Sequence, residues 1–263
     1  LADEMLTIFR QREQQDLQAL ANSPLTLETL LADPGVAKAF SKFQLNPPEE
    51  ELQALMKIKS LRLKEISPRI REAVDAAPAD VRNKILNFLT ARLIRDVLKM
   101  ERIDVMLAME EKWGKMDWRL PEPHAIYWSL LGAEVDRGPR RQITYDRIIL
   151  FSLQELWRRG IIAYVPPELD QPMITTHDFE KVAAVDELYN EMLTKYSPDR
   201  NDYGWESVRD GHVQFLQEAS FNLYFAGYEA EAAKYHQRLY DLYNKPDPFI
   251  PVDQYVLGQV RLM

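Results

Sequence analysis

Apolar residues recur at Val81, Ile85, Leu86, Phe88, Leu89, Leu93, Ile94, Val97 and Leu98. That spacing draws one stripe along an α-helix. Val105, Met106 and Met109 continue the stripe toward Gly114. A thinner stripe (Met5, Ile8, Phe9, Leu17, Leu20) predicts a helix over residues 2–21, closed by Ser23-Pro24. Asn46-Pro47-Pro48-Glu49 reads as a helix start. Asn46 can cap, Pro47 suits the first position, and Glu49 can close a capping box. Leu52, Leu55, Met56, Ile58 and Leu61 follow, up to Ser67-Pro68. Ala77-Pro78-Ala79-Asp80 is a further start, and Asp33-Pro34-Gly35 reads as a turn.

Beyond residue 115 the texture changes. Helices are predicted over roughly 123–133, 144–159, 177–196, 206–226 and 229–244. The loops between them carry Gly138-Pro139, Pro166-Pro167, Gln171-Pro172, Ser197-Pro198 and Lys245-Pro246. Ile161-Ile162-Ala163-Tyr164-Val165 has the composition of a strand but no evident partner, so it reads as an apolar linker. Tyr255, Val256, Leu257, Val260 and Leu262 form a last stripe. The chain opens on Leu1 rather than Met, and that last stripe reaches Met263 without a stop signal. A processed or excised form is therefore expected, its last stripe either cut inside a larger array or forming a capping helix. The pattern predicts an all-α fold, either a compact bundle or stacked helical hairpins. Its natural division is a first region, 1–115, and a second, 116–263.

Composition agrees with helices. Only nine of the 263 residues are Gly, while 46% are hydrophobic and 28% charged. The absence of cysteine excludes disulfides, thiol nucleophiles, iron–sulfur clusters and Cys-type zinc sites, and is compatible with cytoplasm or export. No apolar run approaches the roughly 18 residues of a membrane span. Charge is lopsided: residues 1–115 hold 18 acidic and 18 basic side chains, and residues 116–263 hold 23 and 15. An acidic surface repels phosphate backbones, so a protein or peptide partner is expected and nucleic acid is not.

The segment HVQFLQEASFNLYFAGYEAEAAKYHQRLYDLY, residues 212–243, resembles one tetratricopeptide (TPR) unit. Leu216, Ala219, Ser220 and Leu223 fill its first helix, Gly227 its turn, and Ala232, His236 and Leu239 its second helix. It departs from the family where His236 replaces an aromatic, Leu239 replaces Ala, and the closing proline falls late, at Pro246. Residues 124–160 look like a second, divergent hairpin, with a loop from Ala133 to Thr144. The resemblance implies a TPR-like α-solenoid, or an irregular α-α superhelix, that holds a protein or peptide.

Rare residues crowd into MDWRLPEPHAIYWSLLG, residues 116–132. Trp118, His124 and Tyr127, with Trp157, are candidates for an aromatic pocket. The plainer expectation is core: Trp128 and Leu131 share a helical stripe, and Trp157 shares one with Leu150 and Leu153. His124, in a first helical turn, is expected to be neutral and packed under Trp118 or bonded to a loop carbonyl. Asp117-Trp118-Arg119 fits no capping rule, which makes Trp118 and Arg119 binding candidates. Arg140 and Arg141 are candidates for an anionic group, whereas Arg158-Arg159-Gly160 fits a helix C-terminus. His177, Asp178 and Glu180 could gather a metal, but helix capping by Thr176 accounts for them. His212 and His236 lie at unequal distances from Gly227, which argues against a histidine pair. No phosphate loop, GxSxG or HExxH is present. No catalytic residue, cofactor or metal is expected. The reading is a non-catalytic interaction scaffold or a structural module of a larger protein, with a helical ligand-binding protein or enzyme as the alternative.

Overall fold

The computed structural model describes residues 15–41, 68–164, 174–196, 204–244 and 248–262. The stripes predicted at Met5–Phe9 and Leu52–Leu61, and the start at Asn46, lie outside the described residues. Among those described, the fold is all-α apart from two short strands. The chain forms two compact units: residues 1–127 with 162–174, and residues 128–161 with 175–263. The division after Tyr127 falls inside a helix, twelve residues beyond the charge border at 115/116.

The first unit begins with short helices α1 (Leu17–Ala21), α2 (Leu27–Leu31) and α3 (Pro34–Ser41). Asp33-Pro34-Gly35 starts α3 rather than making a free turn. Asp33 Oδ1 accepts the backbone N–H groups of Gly35 and Val36, at 2.9 and 3.1 Å, and Pro34 takes the first position. Likewise Pro68 opens a helix, α4 (Pro68–Asp75), and Ser67 lies outside the described residues. α5 (Ala79–Asp96) and α6 (Ile103–Trp113) carry the long apolar stripe, which buries Ile85, Phe88, Leu89, Leu93, Ile94, Met106 and Met109. The stripe is broken between them. Leu98 N–H donates to Leu93 O and Met100 N–H to Ile94 O, while Lys99 turns into the left-handed region at φ 59°. The helix ends there, and Leu98 and Met100 still reach the core. α1 packs on α5 and α6, and α3 on α4 and α5.

α7 (Pro121–Val135) is followed by α8 (Pro139–Arg159). The loop expected over Ala133–Thr144 shrinks to three residues because Gly138 and Pro139 start α8 early. Gln142 Nε2 closes it by donating to Ala133 O and Asp136 O. A Cβ on Gly132 would lie 2.7 Å from the Tyr145 ring, so a larger residue would force that ring to shift. β1 (Ile161–Tyr164) pairs with β2 (Ile174–Thr176), which corrects the linker reading. β2 is too short to show an alternating pattern. Asp178, not Thr176, caps the 3₁₀ turn Phe179–Lys181, accepting Glu180 N–H at 3.3 Å.

The second unit continues with α9 (Val182–Lys195), α10 (Trp205–Phe225), α11 (Glu229–Leu239), a π-helical turn Tyr240–Asn244, and α12 (Val252–Leu262). α9 packs on α8, α10 on α9 and α11 on α10, and α12 lies against α10 and α11. The α10–α11 hairpin turns on Gly227 at φ 85°. Tyr228 N–H donates to Leu223 O and Gly227 N–H to Tyr224 O. That pair of bonds is a Schellman motif, which needs a residue free to adopt the left-handed region. Leu216, Ala219, Ser220, Leu223, Ala232, His236 and Leu239 are all buried. Among the described residues no helix is long and apolar enough to cross a membrane.

Candidate functional site

Most of the candidates from residues 116–132 form a buried structural knot in the first unit. Arg119 donates from Nε to Asp117 Oδ1 at 2.8 Å and from Nη2 to Oδ2 at 2.5 Å, and both side chains are buried. Gln15 donates to the same carboxylate and accepts Trp118 N–H at 3.1 Å. Glu110 Oε1 accepts Trp118 Nε1–H at 2.9 Å and Met116 N–H at 3.2 Å. His124 Nε2 donates to the Trp118 carbonyl at 2.8 Å, its ring standing edge-on to the indole. Burial pushes the His124 pKa below its ordinary value, outweighing that backbone bond. Tyr127 accepts Arg102 N–H at 3.0 Å, and burial raises its phenol pKa. The unexplained Asp117-Trp118-Arg119 is thus an ion pair around a buried tryptophan. Trp157 belongs to the other unit. Trp128, expected in a buried stripe with Leu131, is 46% exposed, because Ile126, Tyr127 and Ser129 face the core instead.

Of the arginine candidates, Arg119 and Arg141 have partners. Arg141 is 73% exposed and ion-paired with Asp136 across the α7–α8 connection; the side chain of Arg140 lies outside the described residues. Arg158 bridges Glu155 of its own helix and Glu218 of α10, at 2.9 and 2.7 Å. Asp178 and Lys181, both buried, stand 3.7 Å apart. Among the described residues no group of three or more His, Asp or Glu is placed to hold a metal ion.

A polar chain that no sequence motif signals runs through the second unit. His212 of α10 is fully buried, with Nε2 2.8 Å from Asp186 Oδ1 and Nδ1 2.8 Å from the Tyr243 hydroxyl. Arg238 donates to Asp186 at 3.0 Å and to Asn190 Oδ1 at 2.9 Å. Burial pushes the Asp186 carboxyl up, but the bonds from His212 and Arg238 prevail and hold it below the usual range. Tyr189 stacks on the imidazole at 4.9 Å, and burial raises its own pKa. A carboxylate, an imidazole and a phenol in series can relay a proton. Here they tie the π-helical turn to α9 and α10. His236, by contrast, bonds to Ile250 O and packs at a tilt against Tyr255, so the two histidines serve different segments.

Exposed rings gather at the turn end of the α10–α11 hairpin. Phe225 is 61% exposed and Tyr228 49% exposed. Phe221 lies 4.7 Å from Phe225, and Tyr224 meets Phe225 edge-on. On the other side of the turn the rings form a ladder running inward. Tyr228 touches Phe179 at 5.4 Å, Phe179 stacks on His177 at 5.4 Å, and His177 meets Trp157 at 5.9 Å. Trp157 is fully buried, and its indole N–H has no hydrogen-bond partner among the described residues. Tyr228 is therefore braced from beneath, while Phe225 rests on the half-buried Phe221 and Tyr224. His177, weighed as a metal ligand, is a rung of this ladder. The helical spacing of these aromatics gave no sign that two of them would stay outside. No family model matches the chain, and neither a curated protein nor a solved structure matches it.

Proposed function

We propose that this chain is a non-catalytic protein-interaction module built of TPR-like helical hairpins, and that it takes a protein or peptide on the aromatic edge of the α10–α11 hairpin. The observation that carries this reading is the pair Phe225 and Tyr228. Large rings left exposed lose the free energy that burial would supply, about 1.5–3 kcal/mol for a side chain the size of Phe. Tyr228, held on a packed ladder, loses little further entropy when a partner covers it. The successive packing of α8, α9, α10 and α11 supports a hairpin array. The alternative pocket has less to support it. Trp118, Tyr127 and Trp157 are buried, and His124 is bonded to a backbone carbonyl.

The test is affinity capture with the full chain and with Phe225→Ser/Tyr228→Ser. Partners are expected on the parent protein and not on the variant, with helicity and melting temperature unchanged. Equal capture by both proteins would refute the edge as the contact surface.

A further inference from the structure

The charges around the aromatic edge indicate what covers it. The stretch FNLYFAGYEAE, residues 221–231, holds four aromatic rings, two glutamates and no Lys or Arg. Several acids of this unit are neutralised internally: Glu155 and Glu218 by Arg158, Asp146 by Lys195, and Asp186 by Arg238. Glu229 and Glu231 are exposed in the first turn of α11 and have no ion-pair partner among the described residues. The positive end of the helix dipole favours acids there. The dipole does not account for exposed rings beside them.

We infer that the occupant is a cationic segment of a protein partner, with Arg or Lys interleaved with apolar residues; this rests on the reading of the edge as a contact surface. The ring faces of Phe225 and Tyr228 carry negative quadrupole density and attract a guanidinium or ammonium. Glu229 and Glu231 supply the counter-charge, and an Arg fork meets a carboxylate in two parallel bonds. A purely apolar partner would strip water from these carboxylates without compensation. An anionic partner would be repelled, and residues 116–263, with 23 acidic and 15 basic side chains, add to that repulsion at long range.

The experiment uses fluorescence anisotropy with the full chain and three labelled 14-residue peptides: alternating Arg and Leu, the same with Glu for Arg, and the same with Ser for Arg. The Arg peptide is expected to bind, more weakly as salt rises, and the Glu and Ser peptides are not. Glu229→Gln/Glu231→Gln and Phe225→Ser/Tyr228→Ser are each expected to weaken it by about tenfold. Both pairs are exposed, and unchanged circular dichroism verifies the fold. Equal binding of the three peptides would overturn the inference, as would indifference to both variants. So would binding to vesicles of anionic or neutral phospholipid in place of the peptide. If Phe225→Ser/Tyr228→Ser abolishes partner capture while Glu229→Gln/Glu231→Gln leaves peptide binding intact, the edge is a contact surface for a non-cationic partner. That result ends this inference and spares the proposed function.

Discussion

Arg119 stays buried because Asp117 meets its guanidinium with both oxygens, and Gln15 completes the carboxylate's coordination. Removing one partner of such a pair leaves an uncompensated charge, which costs about 3–5 kcal/mol. Asp117→Asn should therefore lower the stability of the first unit by that order in urea unfolding. The double variant Asp117→Leu/Arg119→Met should recover much of the loss, since two apolar groups leave no orphan. A double variant as unstable as the single one would show that the pair does more than cancel its own charges. The sequence raised this site without resolving it. Residues two apart do not face one another on a helix, and nothing local shows that Met116 to Leu120 are all buried in a turn.

Among elements, the π-helical turn Tyr240–Asn244 depends on a distant anchor. Tyr243 is bonded to His212, which is bonded to Asp186. His212→Leu should free this turn and strand Asp186 beside Arg238 alone. The expected result is faster amide exchange at 240–244 and a loss of about 1–3 kcal/mol, the cost of unsatisfied buried polar groups. Unchanged exchange there would refute the anchoring. This network was illegible because its members lie 26 and 31 residues apart and belong to no motif. The hairpin beside it was legible, since small residues at Ala219, Ser220 and Ala232 and a turn glycine at Gly227 each have a local physical meaning. The α5–α6 break was not. It hinges on Lys99 in a conformation that most residues avoid. β2, three residues long, was below the length at which alternation can be seen.

At the scale of the whole molecule, the two units should answer acid at different points. The folded first unit keeps His124 neutral below its ordinary pKa. The unfolded chain takes a proton there below about pH 6.5, so stability is full above that pH and falls as pH drops toward the depressed folded value. Asp186 in the second unit is shifted the other way with respect to charge. It stays ionised below the ordinary Asp value, so its contribution holds down to about pH 4 and is lost as pH falls through its lowered pKa. Amide exchange, corrected for its intrinsic pH dependence, should show His124–Tyr127 losing protection first and Asp186–Asn190 later. Simultaneous loss would refute the separation. The all-α class and the lopsided charge were legible from periodicity and counting. The division after Tyr127 was not, because no loop or change of composition marks a boundary inside α7.

The ring ladder also has an optical consequence. Aromatic transitions held at 5.4–5.9 Å in fixed orientations couple to one another. Trp157, the inner rung, is fully buried with no hydrogen bond to its indole N–H among the described residues, so it belongs toward the blue end of tryptophan emission. A molecule settling on Tyr228 would shift the outermost rung and, through it, the near-ultraviolet circular dichroism of the whole stack. The protein thus contains a label-free reporter of occupancy, with the chromophore inside the fold and the sensing end in solvent.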